Sequence, residues 1–249
     1  MSLNEKKYVY HRALNSEVAF RNFLDKAQNS KHTLVAEGDI CWAFIDNKFI
    51  IYIYHPDVQG KSLSNQKVVE LSKKDELFTL DKLFCINKDV HFILELKTGN
   101  GVLEDFFMAF KNTLIKYEVK NVLVDAFSVE QLKVFKKVVP DVKTSLHTKF
   151  IFQNYVAETT FEKPYFRLHN LYDLDFIDSL TISYATTHVN FFNLDIDKAY
   201  SHVYSSNKAL NLGSIKTIDS FNKALNSNAE YIYLRSKEVL NGYTKIIKN

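Results

Sequence analysis

Four predicted β-strands of this 249-residue chain end in polar residues that a purely structural strand would not carry. The four ends read His11-Arg12, Glu37-Gly38-Asp39, His55-Pro56-Asp57 and Glu95-Leu96-Lys97. They combine imidazole, carboxylate and cationic groups. These are the groups that general acid–base catalysis and the binding of a divalent cation require.

The spacing within two of these strand ends brings polar side chains together. Residues two apart in a strand point to the same face, so Glu37 and Asp39 project together. Glu95 and Lys97 have the same spacing. Ionised carboxylates in one place repel one another unless a cation neutralises them, and oxygen ligands favour Mg²⁺ or Ca²⁺ over zinc. The sequence therefore predicts an Mg²⁺ or Ca²⁺ site at Glu37, Asp39 and Glu95.

The elements that position these residues alternate between strands and amphipathic helices. Short β-branched and aromatic segments such as Phe49–His55 and Val90–Lys97 predict strands. Apolar residues at helical spacing predict helices, among them Glu17–Ala27, Val129–Val138 with Ser128 as its N-cap, and a last helix from Ser236. This alternation is typical of a parallel sheet with crossover helices. Eight or nine strands are predicted, depending on how a hairpin near Asp46 is counted.

A closed barrel fits the pattern better than an open sheet. The sequence has no G-x-G-x-x-G after its first strand, no Walker sequence and only six glycines in all. Enzymes built on (β/α)₈ barrels carry their reactive groups at the carboxyl ends of the strands, where the polar residues stand in this chain. We therefore predict an α/β fold, a single TIM-type (β/α)₈ barrel domain over residues 1–249. An irregular excursion is expected near residues 151–178.

Composition and charge exclude several classes of protein. The chain is 46% hydrophobic and 24% charged, and this composition allows a sizeable core. Its net charge is +3, and its basic residues form no long block, so nucleic acid is not an expected partner. No apolar segment approaches the roughly 20 residues that cross a bilayer. The first ten residues lack the apolar part of a signal peptide, which predicts a cytoplasmic protein, although Met-Ser-Leu is also what an expression vector adds to a shortened start. Cys41 and Cys85 form neither a disulfide framework nor a C-x-x-C pair.

The order of the strand ends resembles the signature of the glycerophosphodiester phosphodiesterases. In this sequence the signature reads His11-Arg12, Glu37-Gly38-Asp39, His55 and Leu94-Glu95-Leu96-Lys97. Further segments similar to the family are Phe78–Leu83, Asp125–Ser128 with Gln131-Leu132, and Tyr231–Ser236. The resemblance covers about the first 150 residues and returns over about the last 40. It departs at Ala13 and at His55-Pro56-Asp57, and these departures are similar to the animal menorin-like proteins, a second related group.

Both groups imply the barrel of the phospholipase-C-like phosphodiesterases. The first implies a metal-dependent hydrolase that splits a glycerophosphodiester, its small-molecule substrate, into an alcohol and glycerol phosphate. The resemblance leaves open which histidine is the acid and which the base. The implied catalytic, phosphate-binding and metal-binding positions are, in that order, His11 and His55; Arg12 and Lys97; and Glu37, Asp39 and Glu95.

Several alternatives stay open at the level of sequence. A barrel that binds a phosphorylated ligand or partner without turnover fits the departures, and a phosphodiesterase for another headgroup fits the same residues. Lys97 could contact the phosphate or form an ion pair with Glu95. The oligomeric state is not predicted. The remaining candidates for the pocket are Trp42 as a wall, and Asp125, His147 and Lys149 near later strand ends.

Overall fold

The computed structural model describes residues 6–55, 62–97, 103–148, 151–152, 154–159, 166–183 and 196–235. The strands in these ranges are β1 (Lys7–Tyr10), β2 (Leu34–Ile45), β3 (Lys48–Ile53), β4 (His91–Leu96), β5 (Val122–Ala126), β6 (Lys143–Thr148), β7 (Ile151–Phe152), β8 (Tyr155–Thr159), β9 (Phe166–Asn170), β10 (Ser179–Ser183), β11 (Ala209–Ile215) and β12 (Tyr231–Leu234). The helices are α1 (Glu17–Gln28), α2 (Asn65–Lys73), α3 (Leu80–Ile86), α4 (Glu104–Tyr117), α5 (Val129–Val138), α6 (Ile196–Ser205) and α7 (Ile218–Asn226).

Eight of the described strands run parallel and close into a barrel. Their order is β1-β2-β4-β5-β6-β10-β11-β12, and β1 closes the barrel by pairing with both β12 and β2. The end at which the strands have their carboxyl ends is called the mouth below. The predicted TIM-type (β/α)₈ barrel is thereby confirmed, whereas the prediction of one domain over the whole chain stays a prediction.

The alternation of side chains along each strand separates the barrel interior from the layer beneath the helices. On β4, Phe92, Leu94 and Leu96 are 0–1% exposed and belong to the large cluster that the helices cover. The intervening Ile93 instead joins Val9 and other residues that form a smaller apolar cluster inside the barrel. Because one face of every strand must pack under helices, the other face is left to fill the barrel and to line its mouth.

Side-chain caps begin most of the helices that cover the barrel. The hydroxyl of Ser128 accepts the backbone N–H of Gln131 at the start of α5, as its position in the sequence predicted. The same kind of contact begins α1, α2, α3 and α7, where the capping residues are Ser16, Ser64, Thr79 and Thr217.

The sequence counts Phe49–His55 with the strands that end at the mouth and leaves open how the hairpin near Asp46 is counted. The structure shows a hairpin in which β2 continues to Ile45, turns at Asp46-Asn47 and returns as the antiparallel β3. Both turn residues have positive φ, a conformation that Asn and Asp tolerate. Because β3 runs back toward the barrel, its end still reaches the mouth, where the Tyr54 N–H donates to the Asp39 carbonyl at 3.0 Å.

A three-stranded antiparallel sheet, β7-β8-β9, stands between barrel strands β6 and β10, and the described residues of this connection form no α-helix. It falls in the predicted excursion and is followed by a 3-10 turn at Leu171–Asp173. Glu158 anchors the sheet to α5 by accepting the Val129 N–H at 3.2 Å, and His169 lies 2.7 Å from the same carboxylate. The predicted last helix from Ser236 lies outside the described residues, as do Pro56-Asp57 and Lys149.

None of the helices within the described ranges is long and apolar enough to cross a membrane.

Gly38 on β2 lets the segment that follows β1 pack directly against the barrel. A Cβ at this position would lie 2.5 Å from the Cβ of Leu14, which is itself fully buried. The Leu14 N–H also donates to the Glu37 carbonyl at 3.1 Å, so the two backbones are joined at this point. The turn that carries His11 and Arg12 therefore depends on the absence of a side chain at residue 38.

We expect Gly38→Ala to lower the free energy of unfolding by about 1–3 kcal/mol, because the clash is with a Cβ that no rotamer change can move. Thermal denaturation measures the change. Ser72→Ala, at an exposed position of α2, is the control and should stay within about 0.5 kcal/mol of the unchanged protein. A Gly38→Ala protein as stable as this control would show that the contact does not constrain the turn.

Candidate active site

Three buried carboxylates lie side by side at the mouth, on β2, β4 and β5. The strand register pairs Asp39 with Glu95, and Glu95 with Asp125. Neighbouring strands are about 4.8 Å apart, so these side chains form one row on the inner face of the barrel. Their exposed fractions are 3%, 8% and 1% respectively. Glu37, 2% exposed, lies on the same face of β2, one step deeper than Asp39.

The predicted metal ligands are brought together by this arrangement. Carboxylate oxygens of Glu37, Asp39 and Glu95 lie within 4.8 Å of one another. Burial, followed by the charges of Asp39 and Glu95, raises the pKa of Glu37 well above its usual range. Burial and the charge of Glu95 raise the pKa of Asp39 to about 6. The three carboxylates therefore resist being ionised together unless a cation lies among them.

Lys97 supplies part of the positive charge that this cluster needs. Its Nζ forms ion pairs with a carboxylate oxygen of Glu95 and, at 2.9 Å, with Oδ1 of Asp39. Burial alone would lower the pKa of Lys97, but the two carboxylates outweigh it and the pKa is raised. One ammonium cannot neutralise three carboxylates. Among the described residues, Oδ2 of Asp39 also has no hydrogen-bond partner. The charge and the oxygen donors fit a hard divalent cation at Glu37, Asp39 and Glu95.

Arg12 links the carboxylates to the histidines. It has a φ of 64°, the left-handed region, and its backbone N–H donates to Oε2 of Glu37 at 2.5 Å. Its guanidinium Nη2 lies 2.7 Å from Nε2 of His55. A guanidinium can only donate, so Nε2 is the acceptor in this contact. Oδ2 of Asp39 lies 3.7 Å from the same nitrogen. A strained backbone conformation thus serves two contacts at the mouth.

His11 lies half-buried at the end of β1, among cationic groups. Burial, followed by the charges of Arg235 and Arg12, lowers the pKa of His11 to about 3. Its imidazole is therefore neutral near neutral pH and available to accept a proton. The structure brings the two predicted histidines, the two predicted phosphate contacts and the three predicted metal ligands to one mouth, while their roles remain proposals.

Asp125 and His147, which the sequence did not place, also reach the mouth. Nδ1 of His147 lies 3.3 Å from Oδ2 of Asp125, and the Phe127 ring stacks on the imidazole with centroids 4.3 Å apart. Burial would lower the pKa of His147, but the adjacent Asp125 carboxylate and the charge of Glu95 outweigh burial and raise it. Each of the two residues lies on the face of its strand that points into the barrel. The alternation of side chains along β5 and β6 is the feature of the sequence that could have predicted this.

Two further residues of the mouth were assigned no role by sequence. The Tyr233 hydroxyl, on β12, lies 3.5 Å from Oδ2 of Asp125, and burial raises the pKa of Tyr233 well above its usual range. Arg235 follows at the same inward spacing, and its charge acts on His11. Tyr231, Tyr233 and Arg235 are two residues apart in the sequence, so the alternation of a strand would have predicted that all three point to the same face of β12.

The prediction that Trp42 forms a wall of the pocket is not supported by its contacts. Trp42 packs against Phe49 and Phe106, with ring centroids 5.3 and 5.6 Å apart. Trp42 lies three residues after Asp39 on β2. Side chains an odd number of residues apart in a strand point to opposite faces, so Trp42 points away from the side occupied by Asp39. It joins the cluster under the helices. His91 begins β4 at the end of the barrel opposite the mouth.

Comparison with known proteins identifies the fold. No family model and no curated protein sequence matches the chain. Solved structures do match: a glycerophosphodiester phosphodiesterase from Parabacteroides distasonis has a TM-score of 0.64 at 14% identity, covering 98% of each chain. A second, from Agrobacterium tumefaciens, has a TM-score of 0.58 at 12% identity, covering 92% of this chain and 96% of that one.

A phosphodiesterase from Oleispira antarctica, solved in complex with its product sn-glycerol-3-phosphate, has a TM-score of 0.67 at 15% identity. The alignment covers 96% of this chain and 97% of that one. The chain therefore has the fold of the glycerophosphodiester phosphodiesterases, and the resemblance seen in its strand ends is confirmed at that level. Because one barrel fold supports many chemistries, the activity must be argued from the site.

We expect Mg²⁺ or Ca²⁺ to raise the melting temperature, because a dication relieves the repulsion among Glu37, Asp39 and Glu95. Affinity should rise between about pH 5 and pH 8, since carboxyls with raised pKa values must lose their protons to bind the ion. Titration calorimetry of the protein and of Glu37→Gln and Glu95→Gln tests this. Equal binding by all three proteins would show that the ion lies elsewhere.

We expect Lys97→Met to lower the free energy of unfolding by about 3–5 kcal/mol at pH 8, since Glu95 and Asp39 lose their shared cation. Without that cation the pKa of Asp39, already raised to about 6 in the folded protein, rises further above its unfolded value. The resulting loss of stability therefore grows as pH rises and is smaller at pH 5, where the carboxyls take up protons. Denaturant unfolding at both pH values measures it, with Lys133→Met on exposed α5 surface as the control. A loss equal at both pH values would contradict the ion-pair role.

Proposed function

We propose that the chain is a metal-dependent phosphodiesterase that hydrolyses glycerophosphodiesters, releasing an alcohol and glycerol phosphate. One observation carries the proposal, namely that a carboxylate cluster and two imidazoles converge at the mouth and are linked through a single residue. Arg12 contacts Glu37 through its backbone and His55 through its guanidinium. A site for a hard cation beside a site for proton transfer is what hydrolysis of a phosphodiester requires.

The positive groups of the mouth suit an anionic substrate. Mg²⁺ or Ca²⁺ held by Glu37, Asp39 and Glu95 would supply charge at a non-bridging phosphate oxygen, where negative charge increases during the reaction. Arg12 is exposed at the mouth, and Lys97 lies beside the same carboxylates. In the proposed complex both donate to the phosphate oxygens and orient the phosphorus toward the histidines.

The two histidines differ in surroundings, which suits opposite roles. His11, held neutral by its lowered pKa of about 3, accepts a proton from the nucleophile, either the neighbouring glycerol hydroxyl or water. In the proposed complex Arg12 donates to the phosphate instead of to Nε2 of His55, and the Asp39 carboxylate, 3.7 Å from that nitrogen, would then stabilise the protonated imidazole. In our proposal His55 therefore protonates the leaving oxygen. Whether the nucleophile is the hydroxyl or water determines whether a cyclic phosphate forms first.

The substrate class is supported by the comparison rather than by the pocket. The Oleispira antarctica phosphodiesterase, of the same fold, was solved with sn-glycerol-3-phosphate. At 15% identity this likeness carries no residue-level information about the alcohol that this chain accepts. A different headgroup on the same phosphodiester core, or binding without turnover, would use the same mouth.

We expect His11→Ala and His55→Ala each to lower kcat about 10²–10⁴-fold on glycerophosphocholine with Mg²⁺ or Ca²⁺, the range for loss of a general acid or base. Bis(p-nitrophenyl) phosphate, whose leaving group needs no proton, should be less sensitive to His55→Ala than to His11→Ala. Steady-state kinetics on both substrates measures the effects.

His91→Ala is the matched control, because His91 begins β4 at the opposite end of the barrel and should leave kcat unchanged. A folded His11→Ala/His55→Ala protein that hydrolyses both substrates at the original rate would show that the two histidines are not the general base and acid. An unchanged protein that binds the metal but turns over neither substrate would favour the binding barrel.

A further inference from the structure

The half of the mouth formed by β5 and β6 carries a second set of metal-binding groups that the proposed reaction does not use. Asp125 is 1% exposed, and His147 lies beside it with its ring supported by Phe127. The row of carboxylates places Glu95 between Asp39 on one side and Asp125 on the other. Glu95 is therefore the one member of the first metal cluster that also adjoins this second set.

The distances among these groups suit a common ion. Ligand atoms of Glu95, Asp125 and His147 all lie within 4.8 Å of one another. Two ligand atoms about 2.0–2.2 Å from one ion, at angles between roughly 90° and 109°, are separated by roughly 2.8–3.6 Å. Nδ1 of His147 and Oδ2 of Asp125 are 3.3 Å apart. This distance fits two ligands of one ion. It also fits a hydrogen bond between the two atoms.

Asp125 provides the observation that favours an ion over a hydrogen-bonded pair. Its Oδ1 is buried and has no hydrogen-bond partner among the described residues. Neither a lysine nor an arginine of the described ranges forms an ion pair with it, since Lys97 is engaged by Glu95 and Asp39. A buried carboxylate oxygen without a partner is costly, and a cation bound by both oxygens of Asp125 would remove that cost.

We propose that Glu95, Asp125 and His147 bind a second divalent cation, and that Glu95 bridges it to the ion at Glu37 and Asp39. The imidazole ligand makes this second site better suited to Mn²⁺ or Zn²⁺ than to Mg²⁺ or Ca²⁺, which prefer oxygen. Ions that share a carboxylate in this way lie about 3.5–4 Å apart in proteins. The proposal does not depend on the reaction proposed above, because ion binding is measured without substrate.

The test is to count Mn²⁺ ions in the metal-free protein by titration calorimetry and to record electron paramagnetic resonance spectra of the loaded protein. Mn²⁺ accepts both oxygen and imidazole ligands, so one ion species probes both sites. We expect two ions for each chain and a spectrum that shows magnetic coupling between them. Asp125→Asn and His147→Gln should each weaken the second ion by at least about 10–100-fold, because even partners outside the coordination sphere cost that much. The coupling should then disappear.

Two control variants assign the ions to their sites. Glu37→Gln should weaken the first ion and keep the one at Asp125 and His147, whereas His91→Gln, at the far end of the barrel, should keep both. One ion for each chain in the unchanged protein, or a second ion that Asp125→Asn leaves at its original affinity, would overturn the proposal. Absence of hydrolysis by a protein that holds two coupled ions would count against the phosphodiesterase activity and not against this site.

Discussion

Electrostatic repulsion among buried carboxylates is the constraint on which the mouth of this barrel depends. The parallel register places Asp39, Glu95 and Asp125 next to one another at about the spacing of neighbouring strands. Burial removes the water that would otherwise screen them, so pKa values of Glu37 and Asp39 are raised. A cation close to these carboxylates lowers the electrostatic energy of the cluster. Lys97 is held between two of the carboxylates for the same reason.

The rest of the fold provides the rigidity that keeps such a cluster together. Apolar residues on the outer faces of the strands pack beneath capped helices, and this packing offsets the cost of polar groups inside. Gly38 allows the segment after β1 to lie against β2, which brings the Arg12 N–H to Glu37. The β2–β3 hairpin returns His55 to the same place. Two connections that are not barrel strands thus supply Arg12 and His55 to the surroundings of the carboxylates.

The fold and the site contribute differently to the functional conclusion. Structural neighbours at 12–15% identity establish the barrel architecture and no more. The proposed phosphodiesterase activity rests on the imidazoles, the guanidinium and the carboxylates that meet at the mouth. Asp125 and His147 lie in that mouth as well and place a buried acid–imidazole pair beside Glu95.

Local pattern sufficed to predict the strands, the helices, the cap at Ser128 and the polar strand ends, because periodicity and capping depend on residues close in sequence. It also placed Glu37 with Asp39 and Glu95 with Lys97. That β3 pairs only with β2 and is not one of the eight barrel strands could not be predicted, since a strand segment has the same alternation in either position. Likewise, the approach of Asp125 and His147 to Glu95 depends on the register among β4, β5 and β6. Hydrogen bonds between distant parts of the chain set that register, and only the tertiary structure decides it.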